Sequence, residues 1–338
     1  MSARTSLGVL LALALPATAL ATDKPLVIKV GTVAPKGTPW SVSFDAMAQD
    51  VEAAAGAKGV GVDFEMYFGG SLGGEKEMVR ETREGRLHLF GGSVSSLATI
   101  VPELYIFETP FLFESDEEAD YVLDQVRPQV AALLAERGFV LYHWSENGWQ
   151  GIALDGGCVT SMKSLAGKKL RSQEAKVHLD TFEALGASPV AIAVPEVLPA
   201  LKQGVVDGFA NTVLFAFATG WYTGIDSFTE TNHIYQPSAV VYSKKWFDGL
   251  PEATRALLLM DPLRFEANGR KRIRGIRAGL VANLEKAKKQ VCPLDPKLRA
   301  EMKTATKPVF DKYVAGVGDG GRPLVQAVLA AKKAWARR

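Results

Sequence analysis

The chain has 338 residues, 47% hydrophobic and 22% charged, with 39 Lys and Arg set against 37 Asp and Glu for a net charge of +2. That length exceeds one ordinary hydrophobic core and predicts two domains. The charge is scattered, with no basic stripe of interleaved aromatics, which excludes the usual nucleic-acid binders because neutralising phosphates takes clustered Lys and Arg.

At the start, Arg4 precedes an apolar run over residues 7–15, and Ala19 and Ala21 give an A-x-A cleavage pattern. This predicts a signal peptide over residues 1–21, cleavage near Thr22 and a mature protein that is soluble outside the cytoplasm. The run is too short to span a bilayer, and no cysteine follows it for a lipid anchor. Residues 27–30 read as a first strand, followed by a loop that carries Thr32, Val33 and Trp40. Residues 41–53 form an amphipathic helix with Phe44, Met47, Ala48 and Val51 on one face, and residues 62–67 a second strand. The glycine-rich stretch 69–74 lacks both the Gly-Lys-Ser/Thr ending of a phosphate loop and GxGxxG spacing, so it predicts a turn before a helix at Glu75. A surface helix is expected over 116–137, a strand over 139–143, and a loop over 146–150 crossing to the second domain.

Residues 165–211 alternate strand, helix, strand, helix, strand. Residues 168–170 deliver Arg171 at a strand end. Ala175, Leu179, Phe182 and Leu185 share one helix face, residues 189–194 are a compact apolar strand, and Pro195 and Glu196 open a second helix. Val205 and Val206 begin the next strand, which presents Asn211. Such alternation makes a parallel sheet covered by helices, with ligands beyond the carboxyl ends of its strands. Arg171 and Asn211 belong there, and an arginine offers a planar fork for a carboxylate. The stretch 77–93 aligns without gaps on 196–212, pairing Glu77 with Glu196, Gly85 with Gly204 and Ser93 with Thr212. Two domains of similar build, each offering a strand end to one cleft, explain this echo, with Ser93 and Asn211 approaching a ligand from opposite sides. Residues 239–242 return to the first sheet, and apolar periodicity through Phe265, Ile273, Ile276, Leu280 and Leu284 predicts one long helix over 261–290.

No enzyme signature stands out. His88, His143, His178 and His233 have no metal-ligand spacing, and His178 falls on the polar side of its helix. A GxSxG elbow is missing. Cys158 and Cys292 fit no metal motif; in an oxidising compartment they either pair or stay as two thiols. No metal or cofactor is expected.

The stretch KKLR ending at Arg171, EVLPALKQGVVDGFAN over 196–211, TNHIY over 231–235 and SKKWFDGLP from Ser243 resemble the solute-binding proteins of TRAP transporters, the DctP family, from about Val27 to Tyr313. The resemblance implies an α/β, two-domain periplasmic binding protein of type II-like build, with a ligand cleft between the domains, hinge strands and a long bracing helix. The expected division is residues 22–147 plus 236–276 for domain I and 148–235 plus 277–338 for domain II. It also implies that Arg171 makes a bidentate bond to a ligand carboxylate while Asn211 bonds the same end. The lobes then close, and the protein, a monomer or a homodimer, docks on the TRAP membrane permease subunits. A periplasmic sensing protein on the same fold is the alternative, and a secreted hydrolase a remote one.

Several positions depart from the family's sugar-acid and dicarboxylate binders. Gln150 stands where a second arginine is frequent, Val194 where an aromatic precedes the second helix, and Val33 follows Thr32 after the first strand. Ser93 replaces a more polar group, and Phe209 and Ala210 replace Gln and Glu. Fewer polar arms face the ligand, and an unpaired buried polar group costs about 1–3 kcal/mol, so a polyhydroxylated acid would be poorly satisfied. The expected ligand is a monocarboxylate with an apolar body, such as a 2-oxo, branched-chain or aromatic acid, with Trp40, Phe215 and Trp221 as candidate walls.

Overall fold

The computed structural model describes residues 24–338; the signal peptide expected over 1–21 lies outside the described residues. Two sheets share one long strand. In the first, β1 (Leu26–Gly31) lies between β2 (Val62–Tyr67) and β3 (Leu89–Ser93), both parallel to it. The second begins where β4 (Phe139–Leu154) pairs antiparallel with β7 (Gly208–Thr212), followed by parallel β5 (Lys169–Ser172) and β6 (Ser188–Ala191). On its other side β4 pairs with β8 (Ser227–Glu230), and β8 with β10 (Gln290–Pro293). The returning strand β9 (Tyr235–Ser243) closes the first sheet between β3 and β4, as expected from residues 239–242.

The crossing differs from the expected loop over 146–150. Here β4 continues unbroken and stays paired with β9 from Phe139 to Trp149, with register shifts between Leu141 and His143 and between Glu146 and Gly148. Two crossing segments that pair with each other satisfy their own backbone groups, so no solvated loop is needed. Shifts of this kind bend a strand, which lets β4 leave one sheet and enter the other. A second difference lies at β7. The strand begins at Gly208 and not at Val205, whose side chain is exposed, while Val206 turns into the core.

The helix Pro262–Lys286 lies against β4, the helix Pro39–Gly56 and the helix Val213–Ala218, so it braces both lobes. The helix Gly318–Trp335, grouped above with the second domain, packs instead on Asp116–Glu136. One hydrophobic cluster joins Trp40 and Phe90 of the first lobe to Phe209, Phe215 and Trp221 of the second. The lobes are therefore in contact across the cleft. The glycine turn over 69–74 bears this out at the rim: a Cβ on Gly70 would stand 3.1 Å from Pro195, and one on Gly74 3.3 Å from the Ala193 Cβ. Gly69, Gly70 and Gly73 are all left-handed, which explains the choice of residue. Cys158 and Cys292 form a disulfide that ties the end of β4 to β10. Among the described residues, no helix is long and apolar enough to cross a membrane.

Candidate functional site

The echo between the halves is structural. Gly85 and Gly204 both end their segments in the left-handed conformation. Ser93 and Thr212 then both cap a following helix, accepting the backbone N–H of Ser96 and of Phe215. The two strand ends enclose a cleft reduced to two small chambers of about 30 Å³ each. Each has room for a water or two, and an organic acid requires the lobes to part.

The first chamber is built around Arg171. Strand β5 places it at 1% exposure, stacked 4.9 Å above the Trp221 ring, with Nε donating to the Ile192 carbonyl at 2.9 Å. Its Nη1 has no partner among the described residues. Burial pulls the guanidinium down to about 10, against the opposing charges of Glu75 and Glu174. A buried donor left free on a desolvated cation is a strong demand for an anion. Ser93 and Val194 line the same chamber, as do Glu75, Ser95 and Gln173.

Glu75 was not singled out by sequence. It opens the helix Glu75–Glu84, where an acid is ordinary, and that ordinariness hid it. Carried back two residues, the echo sets Glu75 opposite Val194, and both line the first chamber. The buried carboxylate accepts the Ser93 N–H at 2.7 Å and the Ser93 hydroxyl at 2.5 Å. Burial pushes its acidity weaker than usual, and the nearby Glu108 charge adds to this; the Ser93 bonds and Arg171 oppose it. The expectation that Ser93 removes a polar group from the site is therefore corrected. Ser93 holds a carboxylate in place there.

Glu75 also lines the second chamber, with Val33, Trp40 and Phe215. The Trp40 and Phe215 rings lie 5.5 Å apart, and Phe215 stands 5.6 Å from Trp221, so an aromatic path runs from this chamber to beneath Arg171. Trp40 Nε1 donates to the Glu146 carbonyl at 2.8 Å. Asn147 and Ser238 add polar groups that sequence reading missed, because it placed Asn147 in a loop and began the returning strand one residue after Ser238.

Three expected residues stand apart from both chambers. Trp221 backs Arg171 and does not line the space. Asn211 is buried, on the face of β7 shared with Phe209, and its Oδ1 accepts the Thr212 N–H at 2.7 Å. Gln150 pairs in register with Thr212, is fully buried, and among the described residues its amide has no partner on either atom. Among the described residues there is no cluster of His, Cys, Asp and Glu suited to a metal.

Residues 30–316 match the family model of the bacterial extracellular solute-binding proteins, family 7, known as DctP. The chain belongs to this family, as its motifs implied. A solute-binding protein of Verminephrobacter eiseniae is 30% identical over 213 residues, 63% of each chain. The 2,3-diketo-L-gulonate-binding periplasmic protein YiaO of Escherichia coli is 28% identical over 56% of this chain and 58% of its own. The matched part thus spans less than two thirds of these relatives' length. The C4-dicarboxylate-binding periplasmic protein DctP of Vibrio cholerae is 26% identical over 80% of each. Among solved structures, a sugar acid binding protein of Advenella mimigardefordensis in complex with galactonate superposes with a TM-score of 0.85 at 24% identity, covering 91% of this chain and 99% of that one. A TRAP periplasmic solute binding protein of a Polaromonas species bound to D-erythronate gives 0.83 at 25%, covering 91% and 98%. The two-domain binding-protein fold follows.

Proposed function

We propose that the protein is the periplasmic receptor of a TRAP-type transporter, which captures a small organic acid by lobe closure and delivers it to membrane permease subunits. The observation that carries this reading is the free Nη1 of the buried Arg171 in the wall of the interlobe cleft. A ligand carboxylate supplies the missing acceptor, and ligand binding favours the closed form by its differential affinity for that form. Asn211 and Gln150 are retained as candidates that come into reach when a ligand parts the strand ends.

For the ligand we propose a monocarboxylate with an apolar body. Support comes from Val33, Trp40, Phe44 and Phe215, which form an apolar wall at one end of the cleft. Glu75, between the chambers, adds a requirement. A carboxylate accepts hydrogen bonds and repels a carbonyl oxygen, so the ligand should carry a donor such as a hydroxyl near its middle. That favours a branched hydroxy acid over a 2-oxo acid and disfavours a second carboxylate. A further relative of this fold, from Bordetella, has density assigned to pantoate, which has this chemistry (TM-score 0.82, 24% identity).

The test is thermal unfolding of the wild type and Arg171→Ala against hydroxy, oxo and dicarboxylic acids. A ligand at about 100 times its Kd stabilises by about 2.7 kcal/mol. Hydroxy monocarboxylates should shift the wild type and not the variant. An equal shift of both proteins would remove Arg171 from the reading, and a preference for dicarboxylates would overturn the ligand class.

A further inference from the structure

Beneath the cleft floor lies a buried polar chain that the ligand-facing residues do not account for. The sequence places His178 on the polar side of its helix; in the fold it is 1% exposed. Its Nε2 stands 2.7 Å from Glu108 Oε2, a carboxylate on the other lobe that is also fully buried. Glu108 Oε1 accepts the backbone N–H of Ser95 at 2.6 Å. Gln236, on the crossing strand β9, donates from Nε2 to Glu108 Oε2 at 2.8 Å and to Gln173 Oε1 at 2.6 Å. Its Oε1 accepts from Asn147 Nδ2 at 3.0 Å, and Asn147 Oδ1 accepts the Ser238 hydroxyl at 3.3 Å.

The ends of this chain are wall residues. Ser95 and Gln173 line the Arg171 chamber, while Asn147 and Ser238 line the aromatic one. Members come from the first lobe (Ser95, Glu108), the second (Gln173, His178) and the crossing strands (Asn147, Gln236, Ser238). Its polarity is fixed. The Gln236 amide nitrogen only donates, so Glu108 serves it as an acceptor, and His178 Nε2 completes the contact. A network satisfied at every link specifies one arrangement, and one that loses a link strands the rest in low dielectric.

We propose that Glu108 and His178, bridged by Gln236, are positioning residues that hold the two lobes in the closed geometry and aim Gln173 and Ser95 at the ligand without touching it. The pair forms between lobes and beneath the cleft floor, away from the strand ends that a ligand parts, so it persists in the ligand-bound closed form and raises affinity by the factor by which it raises the population competent to bind. This role rests on the receptor reading, yet it can be tested without any ligand.

Gly74 and Ala193 face each other across the cleft mouth, with Cβ positions 3.3 Å apart in the closed form. Both native cysteines are already paired, so Gly74→Cys with Ala193→Cys reports closure alone, as the rate at which an interlobe disulfide forms. In that background His178→Phe should slow trapping about tenfold, and His178→Gln, whose amide can donate to Glu108, should restore most of it. Without the added cysteines, His178→Phe should weaken pantoate binding by the same factor, read by calorimetry. A merely structural role would lower Tm while leaving both quantities unchanged, and that result in a folded variant overturns the proposal. If pantoate and the other acids fail to bind the wild type, the ligand reading falls, and the trapping rates alone decide the role of the pair.

Discussion

Glu75 and Ser93 are bound twice to each other, the carboxylate accepting both the backbone N–H and the hydroxyl of the serine. This joins the start of one helix to the end of β3 and sets a buried charge between the two chambers. Burial raises the Glu75 pKa from its ordinary value. A group whose folded value lies above its unfolded value costs nothing at low pH, where it is protonated in both states. The cost grows as pH rises through the unfolded value of about 4.3 and is complete above the folded one. Glu75→Gln should therefore raise the ligand-free Tm at pH 7.5 by about 2 °C, a gain of about 1 kcal/mol, and lose that gain at pH 4. Melting curves at the two pH values check it, and an equal shift at both would deny the buried charge. Affinity for a hydroxy acid should fall in the same variant.

Arg171 rests on Trp221 and cannot be considered without it. The ring faces a desolvated guanidinium, a contact worth about 0.5–2 kcal/mol, and it fixes the fork in the plane a carboxylate needs. Trp221→Leu keeps an apolar support but removes the π face. Ligand affinity should drop between about twofold and thirtyfold by calorimetry, less than in Arg171→Ala, which should bind no acid detectably. Equal losses in the two variants would mean that Trp221 acts by packing alone.

How far the sequence reached depends on what each feature rests on. The arginine at the end of β5, the helix–strand alternation after it and the long brace were legible because apolar periodicity and strand-end position are local properties. Glu75 was not. Its role comes from Ser93, and the sequence between them holds a helix that hides their proximity. The position of Gln150 outside the chambers was hidden for a related reason: strand pairing decides which face it takes, and the expected loop at 146–150 concealed that β4 runs on. His178 reads as polar-side from its own helix, and only the arrival of Glu108 from the other lobe makes it interior. Long-range polar pairs of this type leave no period to read.

Arg274 on the bracing helix supports the crossing point of the lobes. Its guanidinium reaches Glu146 at 2.6 Å and takes both Asp120 oxygens at 2.8 Å, while Tyr235 donates to Glu146 at 2.7 Å. Glu146 is 1% exposed in its side chain, and its backbone carbonyl receives the Trp40 indole. Arg274→Ala would leave that carboxylate buried without its cation, a change that costs about 3–5 kcal/mol. The loss should be full at pH 7.5 and smaller near pH 5, because Glu146, already pushed upward by burial, would take up a proton once Arg274 no longer opposes it. Denaturant titrations at the two pH values measure this. A loss below about 1 kcal/mol at pH 7.5 would show that water reaches the site and that the crossing is not dry.

The disulfide between Cys158 and Cys292 spans 134 residues and clamps β10, which among the described residues otherwise holds to the second sheet only through β8. Closing so long a loop removes entropy from the unfolded chain, and native bridges of this kind contribute about 2–5 kcal/mol. Cys158→Ala with Cys292→Ala should lower stability by that amount in denaturant titrations. Its effect on ligand affinity should be slight, since neither cysteine lines a chamber or belongs to the Glu108–His178 chain. The loss should also be local in origin. Hydrogen exchange should speed first in β8, β10 and the following helix Pro296–Gly316, and last in β5 and β7, which carry Arg171 and Asn211. Faster exchange in β5 at the same onset would mean that the second lobe unfolds as one unit, and that the bridge guards the binding site as well as the edge.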